Sequence, residues 1–235
     1  MKKPTLGILG GMGPLATLDF MHKVIELTPA ASDQDHLPMV LVSVPHVPDR
    51  TAAIVGEGES PLPVLLDGIA TLNKAGVDCV AVPCNSAHFW FDELAGASNA
   101  PIVHIADAAI AALDVGRAKT RRIGFLGTSG SVQAGIYEKR LIASGFECVN
   151  PTPEDQENLI MQGIYQIKAG NLDQAGTLLD KAAANLRARG VEAIILGCTE
   201  IPIVVDEGDG VVDATRALAQ ACVTHLLANS RLAVA

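Results

Sequence analysis

Basic residues are scarce in this chain: 17 Lys and Arg stand against 26 Asp and Glu, the formal charge is -9, and no basic run exceeds the pair Arg121-Arg122. A phosphate backbone or an anionic lipid surface recruits clustered cations, so the sequence speaks against nucleic acid and against membrane as partners. Long apolar runs are missing as well. Val40 to Val44 and Ala193 to Leu196 fall far short of the ~20 residues that cross a bilayer. Lys2 and Lys3 open the chain, but glycines and Pro14 interrupt the next stretch before a secretory h-region can form. The expectation is a mature, soluble, cytoplasmic protein. Cysteine is odd in number, five in 235 residues. A core of this size needs no disulfide framework, and none is expected in a reducing compartment, which leaves thiols free for chemistry.

What is present is an alternation of short Val, Ile and Leu runs with longer helical patterns, the signature of buried parallel strands joined by crossover helices. The fold class is α/β. Strands are predicted at Leu6 to Leu9, Met39 to Val44, Cys79 to Val82, Ile102 to Ile105, Ile123 to Leu126, Glu147 to Val149 and Ala193 to Leu196. Helices are predicted over Leu15 to Leu27, with Leu15, Leu18, Phe20, Met21, Val24, Ile25 and Leu27 near helical spacing, and over Leu172 to Arg189. Gly76 and Gly190 read as the glycines that end their helices.

The chain nearly repeats itself. Gly76-Val-Asp-Cys-Val-Ala-Val-Pro-Cys84-Asn-Ser lies 114 residues before Gly190-Val-Glu-Ala-Ile-Ile-Leu-Gly-Cys198-Thr-Glu, and the two align without a gap. Gly7-Ile-Leu-Gly-Gly-Met-Gly13 lies 117 residues before Gly124-Phe-Leu-Gly-Thr-Ser-Gly130. Two segments matching at nearly one offset imply an internal duplication: two pseudo-symmetric parallel-sheet α/β domains with the site in the cleft between them. The boundary falls within 106–120, near Gly116, Arg117 and Lys119, and divides the chain into 1–112 and 113–235. A C-terminal helix over 211–228 is expected to pack back on the first domain. No linker is long enough to let the domains drift apart.

Parallel α/β sheets bind ligands at the carboxyl ends of their strands, so the duplication sets Cys84 opposite Cys198. Each follows a buried strand and precedes small or capping residues, where a helix N-terminus would stabilise a thiolate and lower its pKa. Inverting a stereocentre through a planar carbanion requires proton removal on one face and delivery on the other, and two facing thiols can do both. Cys79, Cys148 and Cys222 lack this symmetry and read as core or surface thiols. Either cysteine alone would be an ordinary core residue; the matched positions favour chemistry.

Pro83-Cys-Asn-Ser-Ala-His88 and Gly197-Cys-Thr-Glu200, with Gly10-Gly-Met-Gly-Pro14 and Pro48-Asp-Arg-Thr51, make the chain resemble the cofactor-independent aspartate/glutamate racemase family over essentially its whole length. The resemblance implies Cys84 and Cys198 as two bases, a small acidic amino acid as substrate, no pyridoxal phosphate and a homodimer. Ser86 stands where the family more often has Thr, and the hydroxyl is kept. Carbanion formation without an electron sink asks for preorganised donors. Asn85 and Ser86 on one side, and Thr128, Ser129 and Thr199 on the other, are candidates for the α-carboxylate, with Met12 of the glycine loop as a further contact. Each could equally be a cap or turn residue. A second carboxylate needs a cation, and Arg50 can grip one bidentately. Tyr165 and Lys168, three apart in Gly163-Ile-Tyr-Gln-Ile-Lys-Ala-Gly170, share a helix face and match the stretch that closes over the acidic side chain. His88 and Glu200 are candidate supports for the thiols.

Zinc at Cys84 and His88 would need further ligands at sensible spacing, and none is near, so no metal is expected. A dinucleotide site is suggested by Gly11-Met-Gly13-Pro-Leu-Ala16, but its second strand should end in an acidic residue and instead ends Val44-Pro45-His46. The alternatives that remain are a maleate-type cis/trans isomerase, in which one cysteine is a nucleophile, and a catalytically silent amino-acid-binding protein.

Overall fold

The structure, a computed structural model, describes residues 3–113, 121–205, 208 and 210–232. Among the described residues, seven strands form two parallel sheets. The first contains β1 (Leu6–Gly10), β2 (Met39–Ser43) and β3 (Cys79–Ala81) in the order β2-β1-β3. The second contains β4 (Arg122–Gly127), β5 (Glu147–Val149), β6 (Ala193–Gly197) and β7 (Val211–Asp213) in the order β5-β4-β6-β7. The topology repeats: β1 and β4 are central, the strand after each lies on one side and the cysteine-bearing strand on the other. Register repeats with it, Leu6 lying opposite Cys79 in one sheet and Ile123 opposite Ala193 in the other. The class and the duplicated architecture agree with the sequence reading.

Both central strands are buried on both faces, which is why they read as continuous apolar runs and not as alternations. One core unites the halves: Leu6, Ile8 and Phe20 share it with Phe125, Tyr137 and Ile195. Separate clusters fill the opposite face of each sheet, around Leu9, Leu65 and Ile69 in the first and around Leu126, Leu179 and Leu196 in the second. Helix Pro14–Leu27 starts with Pro at its first position, where the missing N–H costs nothing. Gly76 and Gly190, at φ 65° and 79°, end their helices as predicted.

Three local expectations change. Ile102 to Ile105 is not a strand: only Ile102 pairs, with Val80, because His104 already caps a helix beginning at Ile105. Residues 211–213 are strand and not helix. β-Branched Val211 and Val212 extend the second sheet against β6, and Asp213 Oδ1 accepts the Thr215 N–H as helix Ala214–Leu232 begins. The buried face of helix Pro14–Leu27 is Ala16, Thr17, Phe20 and Val24, whereas Leu15, Leu18 and Ile25 are exposed. Helix Ala214–Leu232 packs on helices Pro14–Leu27 and Ile105–Ala111 through Leu218, Cys222 and Leu226. The boundary read near Gly116, Arg117 and Lys119 lies mostly on 114–120, outside the described residues.

Candidate active site

The carboxyl ends of β1, β3, β4 and β6 converge on a cleft between the two halves. Met12, Arg50, Cys84, Asn85, Ser86, Thr128, Lys168, Cys198, Thr199 and Glu200 line it together with Asp49, Thr51 and Gly197. Ten sequence-predicted residues, drawn from segments scattered between positions 12 and 200, therefore meet in one place. The loop after β1 can turn there because Gly11 takes φ 90°, and a Cβ on it would lie 2.5 Å from the Val44 nitrogen.

Cys84 and Cys198 are each 5% exposed and face the same space from equivalent loops of the two halves. Their surroundings differ. The Cys198 thiol donates to Glu200 Oε2 at 3.0 Å, the Thr199 hydroxyl donates to the same oxygen at 3.4 Å, and Glu200 Oε1 accepts the Gly13 N–H at 3.2 Å. Burial first, and then the charge of Glu200, push the Cys198 thiol well above the ordinary cysteine range, with Lys168 pulling weakly the other way. The lowering expected from a helix N-terminus does not hold at this cysteine. Only a three-residue 3₁₀ turn, Ile201–Ile203, comes after it, too short for a useful dipole beside a full carboxylate charge.

The cleft is rich in uncommitted donors. Arg50 Nη1 donates to the carbonyls of Pro48 at 3.1 Å and Val47 at 3.3 Å, which fixes the guanidinium and leaves its buried Nε without a partner among the described residues. The Asn85 side-chain nitrogen is likewise buried and unpartnered. Lys168, last residue of helix Gln162–Lys168, brings a second cation to the same cleft. Buried donors without acceptors are rare in folded proteins, and two of them beside the Lys168 ammonium make a cleft whose chemistry suits anionic oxygens.

A family model for Asp/Glu/hydantoin racemases matches residues 9–222. The chain belongs to that racemase family. A broad specificity amino-acid racemase of Bacillus subtilis, RacX, is 30% identical over 232 residues, covering 95% of this chain and 98% of its own. Among solved structures, an aspartate racemase of Picrophilus torridus is 31% identical with a TM-score of 0.85, over 95% of this chain and 94% of that one. An aspartate racemase homologue from Pyrococcus horikoshii has 26% identity and a TM-score of 0.75, over 97% and 100% of the two chains. The protein is thus an enzyme, an isomerase of the racemase class.

In this racemase the remaining candidates divide. Ser86 Oγ lies 2.9 Å from Thr128 Oγ1 and 3.0 Å from Ser131 Oγ, and the last two are 3.0 Å apart. Three hydroxyls in a ring can each donate to the next, so they pin the first half to the second and offer protons to a ligand only when the ring opens. Ser131 was not legible as a site residue. Ser129 falls outside the cleft lining: it starts the helix Ser129–Gln133 and accepts from the Gln156 amide at 3.3 Å. Tyr165 is outside too, 52% exposed. Three residues of helix leave it rotated by ~60° from Lys168, and only the long lysine side chain reaches in.

His88 is buried: its ring packs edge-on against His104, at 4.7 Å between centroids, and beside Phe91, and both its nitrogens face backbone groups. Its Nδ1 lies 2.9 Å from the Cys84 carbonyl, and its Nε2 lies 3.2 Å from the Ile105 N–H. Both contacts are satisfied at once only by the neutral ring with the proton on Nδ1. Burial accordingly pushes its pKa down to about 4. His88 holds the Cys84 loop and does not contact a thiol. Asp49, unpredicted as a lining residue, caps helix Arg50–Ile54 by accepting the Ala52 N–H at 2.9 Å, a role its place one residue before the helix could have signalled.

Proposed function

We propose that the enzyme interconverts L- and D-aspartate, with glutamate as the competing acid, by two-base proton transfer between Cys84 and Cys198. The observation that carries this reading is the meeting, in one cleft, of two buried cysteines from equivalent loops with the cations Arg50 and Lys168. The thiols suit a 1,1-proton transfer. The cations and the unpartnered donors suit a substrate with two carboxylates.

The two cysteines share one proton when one must be thiolate and the other thiol. The Glu200 charge beside Cys198 favours the arrangement in which Cys198 keeps that proton. Cys84 then removes the α-proton of one enantiomer, and Cys198 delivers its own to the opposite face of the carbanion. The pair ends with its roles exchanged, ready for the other enantiomer. The α-carboxylate is held by Asn85 and the Thr199 side of the cleft, and the acidic side chain by Arg50 and Lys168. Met12, apolar and 3% exposed, walls the site. All five cysteines are free, which fits work in the reducing cytoplasm. The homodimer implied by the family resemblance belongs to this proposal, and light scattering of the purified protein tests it.

Incubating L-aspartate, and separately L-glutamate, with enzyme and reductant in D2O tests the reaction by proton NMR and chiral chromatography. The expected result is α-deuterium together with the D-enantiomer, and no racemisation by Cys84→Ser or Cys198→Ser. Binding of either acid without exchange of its α-proton would overturn the reading in favour of cis/trans isomerisation or silent binding.

A further inference from the structure

Tyr137 belongs to the second half, at the start of helix Glu138–Ala143, and is 1% exposed. Its ring packs against Phe125 of β4 at 4.6 Å between centroids, so the core fixes where its hydroxyl goes. That hydroxyl crosses to the first half and donates to Asn85 Oδ1 at 2.5 Å. Asn85 comes directly after Cys84, lines the cleft and is 3% exposed.

An asparagine amide can be turned either way about its last bond, presenting oxygen or nitrogen to a given neighbour. Burial, helped by the negative charges of Asp213 and Asp107, raises the Tyr137 hydroxyl well above its ordinary pKa, so it stays protonated and needs an acceptor. Turned the other way, the amide would meet that hydroxyl with N–H groups and leave the phenolic proton without its acceptor. The contact therefore selects one orientation. Its consequence is the buried Asn85 nitrogen that has no partner among the described residues, a donor kept free at a cost that a ligand oxygen removes.

We infer that Tyr137 is a positioning residue for the racemase reaction: it locks the Asn85 amide so that its nitrogen is held ready for the substrate's α-carboxylate beside Cys84. The assignment rests on the two-base reading above. It also makes carboxylate recognition in the first half depend on a side chain of the second, so the donor is correctly set only when the halves are seated on each other.

The test is a double-mutant cycle of Tyr137→Phe and Asn85→Ala, measured on aspartate racemisation and on aspartate binding by calorimetry. Phe keeps the packing on Phe125 and removes only the hydroxyl. Tyr137→Phe should raise KM and Kd for aspartate about tenfold, the scale of one hydrogen bond to a charged group, with kcat within about threefold and the melting temperature little changed. In the Asn85→Ala background the same substitution should change neither constant, because the group it acts through is gone. Asn85→Asp should weaken aspartate binding with Tyr137 intact, since it keeps the acceptor and loses the donor.

An unchanged KM and Kd in Tyr137→Phe, or an equal rise in both backgrounds, overturns the inference. A wild type that binds aspartate without exchanging its α-proton defeats the two-base reading alone, and the cycle is then decided on Kd. A wild type that binds neither aspartate nor glutamate overturns both.

Discussion

The Cys198 thiol donates to the Glu200 carboxylate at 3.0 Å, and the other oxygen of that carboxylate accepts the Gly13 N–H from the opposite half at 3.2 Å. One charge thus braces the glycine loop and favours the protonated form of one candidate base. Glu200→Gln removes the charge and keeps an acceptor. The Cys198 thiol should then ionise more readily, and its alkylation by iodoacetamide at pH 8, measured by mass spectrometry in the Cys84→Ser background, should speed up roughly tenfold for each pH unit by which its pKa falls. Racemisation should slow. Because the two enantiomers are equally stable, kcat/KM must fall by the same factor in both directions, while kcat need not. An unaltered alkylation rate would show that Glu200 does not control this thiol.

Arg50 and Lys168 carry the second prediction. The Nη1 of Arg50 is spent on the Pro48 and Val47 carbonyls, so its Nε edge is the part left for a carboxylate. Lysine offers a point charge without that edge. Arg50→Lys should cost roughly 10- to 100-fold in kcat/KM for aspartate, the worth of a charged hydrogen bond. Lys168→Met should raise KM for aspartate and leave any slow turnover of alanine, which has no second carboxylate, within about threefold. Steady-state kinetics on both substrates checks this, and equal losses on both would remove Lys168 from side-chain recognition.

Much of this site was legible because duplication is a sequence property. Cys84 and Cys198 align without a gap, so the residues after them align too, and the topology brings both loops to one cleft. What stayed hidden depends on side-chain direction across the interface between halves. Gly135-Ile-Tyr137 and Gly163-Ile-Tyr165 read alike, yet only the first tyrosine is buried and reaches the site, while the second faces solvent. Ser131 joined the hydroxyl ring for the same reason: its partner, Ser86, is 45 residues away in sequence. The strand at Val211–Asp213 was hidden because three residues give too short a pattern to separate from the helix after it.

Lys23 carries the third prediction. Its ammonium lies 2.6 Å from Asp213 Oδ2 and 2.5 Å from Asp19 Oδ2, and the side chains of Lys23 and Asp213 are 9% and 1% exposed. The pair ties helix Pro14–Leu27 to the end of β7. Lys23→Met would leave a carboxylate buried without its counter-charge, at a cost of about 3–5 kcal/mol. Chemical denaturation should register that loss, and adding Asp213→Asn, which removes the stranded charge, should recover part of it. If the double variant is no more stable than Lys23→Met, the charge contact is not what fixes β7.

The last prediction concerns pH. An ordinary histidine titrates near 6.5, and His88, buried with both ring nitrogens engaged, is pushed down to about 4. Between these values the unfolded chain binds a proton that the native protein refuses. The contribution of His88 is therefore fully present above pH 6.5 and is lost as the pH falls toward 4, a change of about 3 kcal/mol. Protonating Nε2 would also break the bond from the Ile105 N–H. Urea midpoints of the native protein and of His88→Gln, taken at pH 7.5 and 4.5, separate this from the general loss of carboxylate charge, which both proteins share. The variant should be the less stable at pH 7.5 and should lose less on acidification, by about 2–3 kcal/mol. Parallel losses in the two proteins would mean that His88 takes up its proton without penalty, and that its contacts to Cys84 and Ile105 do not hold it neutral.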